Sequence, residues 1–86
     1  MKLTEIQQQA IQARISLIVR AENYDRLLLA AVFGEIDEKI LYVFAATESL
    51  AAEIEEKFAL HLSIVASQVA GTPVDFVVAL PDELRS

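Results

Sequence analysis

The side chains in this chain that could do chemistry are few, and their spacing does not bring them together. His61 is the only histidine. A histidine that ligates a metal or moves a proton needs partners held around it. Its helical neighbours are Lys57, Phe58, Ser63 and Val65, with no carboxylate three or four residues away. It reads as a half-exposed helix residue. Ser16, Ser49, Ser63 and Ser67 have no histidine placed by the sequence to activate them. Cysteine is absent, which excludes a disulfide framework and a thiolate metal site. The two glycines, Gly34 and Gly71, cannot build a phosphate-cradling loop or a dinucleotide fingerprint.

Glu48, Glu53, Glu55 and Glu56 fall within one helical pattern. Calcium takes about 6–8 oxygens from a bent loop, and a straight helix cannot present them. The cluster reads as a solvated acidic face, with a second use as a docking surface for a basic partner. The expectation is a protein that is not an enzyme, with no metal and no cofactor.

Charge points the same way. Thirteen acids against seven Lys and Arg give a net charge of −6. Such a domain repels phosphate backbones on average. The bases Lys2, Arg14, Arg20, Arg26, Lys39, Lys57 and Arg85 are scattered. Arg20 and Arg26 form the one basic pair, so nucleic-acid binding is expected to be weak at most and to use that pair.

These residues need elements to hold them. With 86 residues, 55% of them hydrophobic, the chain can bury one core. Mean hydropathy is +0.42. The longest apolar run, Leu27 to Phe33, is far short of the ~20 residues of a membrane span. No apolar signal core follows Met1-Lys2, so the expected compartment is the cytoplasm.

Thr4 and Gln7 have capping-box spacing, and the spacing predicts a helix over 4–20. Its apolar series is Leu3, Ile6, Ala10, Ala13 and Leu17, widened by Ile11, Ile15 and Ile18. A stripe that wide serves two contacts, one with the core and one with a second copy of the chain. Glu22-Asn23 interrupts the pattern. Residues 24–31 suit either a helix or a buried strand, and a short helix is favoured. Val32 to Ile36 and Ile40 to Phe44 flank a charged turn and read as a hairpin. In its second strand Leu41, Val43 and Ala45 face one way and Ile40, Tyr42 and Phe44 the other. One apolar face is for the helices and one is open to a partner. Thr47 caps a long helix with the stripe Leu50, Ile54, Phe58, Leu62, Val65 and Val69, and Gly71 and Pro73 stop it. A break near His61-Leu62-Ser63 would be in keeping with its length. Val74 to Leu80 reads as a strand, and 81–86 as a tail or the start of a linker after a compact domain over 1–80. The order predicts an α+β domain with a three-stranded sheet covered by helices mainly on one face. Its last strand can run parallel to a hairpin strand.

The stretch from Val32 to Thr47 resembles the hairpin of the N-terminal domain of the bacterial replication initiator DnaA, with a short acidic turn and an alternating strand ending in small residues. Leu50 to Phe58 is similar to that family's helix, ending in two charges and an aromatic, Glu56-Lys57-Phe58. Ile64 to Phe76 is similar to its closing segment of helix, glycine, proline and strand. The likeness spans about residues 24 to 80. The chain departs from the family in lacking tryptophan. Leu28 and Glu53 stand where tryptophans are expected, and Ala46-Thr47 replaces a proline-asparagine pair. The C-terminal domain of the clamp-loader tau subunit has a similar ending. The K-homology fold resembles both, but its nucleic-acid-binding members need a GxxG loop that is missing here.

The resemblance implies a K-homology-like interaction domain acting in replication initiation. It implies weak self-association through the first helix, where the wide apolar stripe offers Ile6, Ala10 and Ala13. It also implies docking of the replicative helicase or a replication regulator at Glu22, Asn23, Tyr24 and Ser49. The alternatives are a single-strand nucleic-acid binder using Arg20 and Arg26, and an acidic structural dimer.

Overall fold

A computed structural model describes residues 1–84, and Arg85 and Ser86 lie outside the described residues, with the end of the expected tail. The elements are helix α1 (Glu5–Ser16), a short helix α2 (Ala21–Asn23) running into a π-helical turn (Tyr24–Leu28), strands β1 (Val32–Asp37) and β2 (Ile40–Ala45), helix α3 (Glu48–Ala70), strand β3 (Phe76–Pro81) and a 3-10 turn (Asp82–Leu84). This is the α+β order expected from the sequence.

Helix α1 opens with the capping box. Thr4 Oγ1 accepts the Gln7 amide, and Gln7 Oε1 accepts the Thr4 amide. It closes at Ser16, four residues before the predicted end at 20. Here the Leu17 and Ile18 amides donate to Arg14 and Ile15, tightening the last turn, and the Ser16 hydroxyl donates to Ala13 O at 2.7 Å. Apolar continuity through Leu17-Ile18-Val19 overstates the helix, because Val19 is buried from the turn and not from a helix face.

Glu22 and Asn23 do not interrupt a helix. They form α2, and the helical path continues into the π turn, where the Leu29 amide reaches Tyr24 O at 2.8 Å. The wide turn accompanies burial of two adjacent side chains, Leu27 and Leu28.

The hairpin turns at Glu38 and Lys39, both at positive φ (50° and 69°). That geometry matches the right-handed strand twist. Between the pairs Phe33–Val43 and Ile36–Leu41 the register shifts, which is a β-bulge at Gly34-Glu35. It turns both Phe33 and Ile36 into the core. β2 is central, antiparallel to β1 and parallel to β3, in the order β1-β2-β3. Leu41, Val43 and Ala45 face the helices and are buried, while Ile40, Tyr42 and Phe44 lie half-buried on the other face, as the alternation predicts.

Residues Met1 to Leu3 add backbone pairing to the outer edge of β1. The Leu3 amide donates to Gly34 O, the Ile36 amide to Met1 O, and Leu3 is buried. No hydropathy signal foretells this pairing.

α3 runs unbroken for 23 residues from its Thr47 cap to Gly71, which takes the left-handed conformation at φ 69°. No break occurs at 61–63, where the buried Ser63 hydroxyl donates to Leu60 O. Ser67 then donates to Thr72 O and accepts the Val74 amide, leading the chain into β3. β3 starts at Phe76, with Val74 buried in the loop before it, and runs to Pro81, one residue past the expected end.

Candidate interaction surfaces

α1 carries two apolar rows. Ile11 and Ile15 are fully buried. Ile6, Ala10, Ala13 and Leu17 follow steps of four and three, which at ~100° per residue places them roughly 120–180° from the middle of that seam, Ala10 nearest to it. Ile6 is 79% exposed and Leu17 87%, with Ala13 exposed and Ala10 half-buried. The row expected for self-association therefore faces solvent, while Leu3 is buried through the strand pairing described above.

A corner forms between the second helical segment and the start of α3. The Arg26 guanidinium donates to both carboxylate oxygens of Glu53, and one of its nitrogens also approaches Asn23 Oδ1. Lys57 Nζ donates to the same Glu53 oxygen at 2.9 Å. Hydrogen bonds from Arg26 and then Lys57 hold the Glu53 carboxyl well below its usual 4.5, at about 2. The same carboxylate raises Arg26. Glu53 lies one turn beyond Ser49 on α3, so the two residues share a face of that helix, and the ion pair joins that helix to the segment carrying Asn23. Glu22 and Ser49 are exposed and Asn23 is half-buried.

Tyr24 plays a different part from that of a free aromatic anchor. Its hydroxyl donates to Gln12 Oε1 at 2.6 Å, and Gln12 Nε2 donates to the carbonyls of Leu28 and Ala31, both at 3.2 Å. Tyr24 thus points back to α1. Along with Ala13, Gln9 and Leu29 it lines a shallow hollow of about 500 Å³. Ala13, expected in self-association, and Tyr24, expected at the partner corner, share this hollow. Gln12 was not singled out in the sequence, because a glutamine on a polar helix face carries no motif.

The remaining chemistry-bearing groups stay apart. His61 is exposed and meets Phe58 edge-on, with ring centroids 6.2 Å apart. Ser16, Ser63 and Ser67 donate to backbone carbonyls. Among the described residues no three His, Asp or Glu side chains converge as a metal site requires. Arg26, half of the expected basic pair, is neutralised by Glu53. Among the described residues no helix is long and apolar enough to cross a membrane.

The chain matches no protein-family model and no curated protein.

Proposed function

We propose that this chain is a non-enzymatic protein-interaction domain of the cytoplasm, comparable to the N-terminal domain of the replication initiator. In this reading it self-associates weakly through α1 and recruits a replicative helicase or replication regulator at the Glu22, Asn23, Ser49 corner. The observation that carries the reading is the outward Ile6–Ala10–Ala13–Leu17 row. A small domain that turns an apolar row to solvent, with a separate seam serving the core, has a surface suited to another chain. The α+β order adds support, since it is the order that the resemblance implies. A nucleic-acid role has less behind it: the net charge is −6 and Arg26 is ion-paired.

Titration calorimetry against the replicative helicase of the same cell tests the corner. Glu22→Lys and Ser49→Arg should each weaken binding by more than ~1 kcal/mol. Both positions are exposed, so thermal stability should hold within about 0.5 kcal/mol. Binding indifferent to both substitutions would place the site elsewhere.

A further inference from the structure

The two edges of the sheet are treated differently. The β1 edge is covered by the backbone of Met1 to Leu3. Among the described residues the outer edge of β3 has no such cover. Phe76 lies opposite Ile40 and donates its amide to Lys39 O at 3.2 Å. In a parallel ladder that turns the backbone groups of Phe76, Val78 and Leu80 toward β2, and those of Val77, Ala79 and Pro81 outward. Pro81 has no N–H to offer. The Ala79 amide donates to Glu55 Oε2 at 3.0 Å, a side chain reaching across from α3. One carboxylate and one proline therefore stand where the other edge has a strand.

A cleft of about 580 Å³ opens beside this edge, between the first turns of α3 and the end of β3. Ala51 and Ala52 keep its helix wall low, and Glu48, Glu55, Glu56 and Glu83 line it, with no lysine or arginine lining it among the described residues. On the outer face of the sheet, the same strand presents Phe76, 66% exposed, and the half-buried Val78 and Leu80.

We propose that this cleft takes an extended basic segment of a partner protein, added as a strand along β3. The placement goes beyond the docking corner and does not depend on it. Strand addition supplies backbone hydrogen bonds to Val77 and Ala79, and alternate side chains supply specificity. Every second residue of the added strand faces α3, where Lys or Arg meets the four carboxylates. The residues between face outward beside Phe76 and Val78, where apolar side chains fit. Glu55 holds the Ala79 amide in the free protein and turns to a basic side chain when the incoming backbone takes its place. The match of charge selects against acidic and neutral strands.

The test is an NMR titration of the whole chain with the peptide acetyl-(Lys-Val)4-amide. Saturable shifts at the Val77 and Ala79 amides are expected, and acetyl-(Glu-Val)4-amide should produce none. Only one edge of the peptide faces β3. N-methylation at all lysines or at all valines should therefore abolish binding in one of the two isomers and spare the other. The exposed pair Glu48→Lys/Glu56→Lys should weaken the unmodified peptide by at least about tenfold. Equal binding of both N-methyl isomers would reduce the contact to unspecific charge and overturn strand addition. Shifts confined to other parts of the chain would overturn the location. Concentration-dependent shifts at Val77 and Ala79 without peptide would make a second copy the occupant and overturn the basic partner.

Discussion

The Tyr24 hydroxyl donates to Gln12 Oε1 at 2.6 Å, and through that bond the second helical segment is fastened to α1. Gln12 also satisfies the Leu28 and Ala31 carbonyls where the π turn ends. Without it those acceptors lose their side-chain donor. Tyr24→Phe should destabilise the domain by about 1 kcal/mol, and Gln12→Ala by more, about 1–3 kcal/mol. Urea unfolding of the two variants and of the double variant checks this. The effects should be less than additive, because the residues share one network.

Gly34 sits in the bulge with the Phe44 ring beside it. A β-carbon on Gly34 would come within 2.9 Å of Phe44 Cε2. Gly34→Ala should therefore cost on the order of 1 kcal/mol, and Phe44→Leu in the same chain should recover part of that loss. Thermal unfolding of the single and double variants gives the comparison.

Lys39 occupies a left-handed conformation at φ 69°, and its carbonyl accepts the Asp75 and Phe76 amides. Glycine keeps the carbonyl and removes the steric cost of that conformation. Lys39→Gly should stabilise the protein by roughly 1 kcal/mol, read from the denaturation midpoint.

Glu53 supplies a pH signature. Its carboxyl titrates at about 2 when folded, against an ordinary 4.5. The folded state therefore gains from its charge above pH 4.5, and that gain disappears as pH falls toward 2. Because Arg26 is about half exposed and Glu53 only half-buried, salt should shrink the effect. Stability against pH should fall less steeply over this window in Glu53→Gln than in the parent. Parallel curves would remove Glu53 from the account of the corner.

Much of the fold could be read from periodicity and caps. Thr4 with Gln7, Thr47, and Gly71 each marked a boundary that holds in the structure. The alternation in β2 sorted its two faces correctly. What escaped were contacts between residues far apart in sequence. Met1 to Leu3 pair with Gly34 to Ile36 because a bulged edge strand is open there, and nothing in three residues announces a strand. The end of α1 is not legible from hydropathy, because Leu17, Ile18 and Val19 continue the apolar run after the hydrogen bonding has tightened at Ser16. The Arg26–Glu53 pair that ties the second helical segment to α3 is not legible in the sequence, since charge pairing across 27 positions leaves no local pattern.

The outward row on α1 carries the central claim, and sedimentation velocity over a rising concentration series tests it most directly. The parent chain should show an increasing mean mass as concentration climbs into the high micromolar range. Ile6→Glu, at a position 79% exposed, should leave the fold intact and hold the chain as a monomer throughout. A parent that stays monomeric across the series, or an Ile6→Glu variant that associates as the parent does, would contradict the claim.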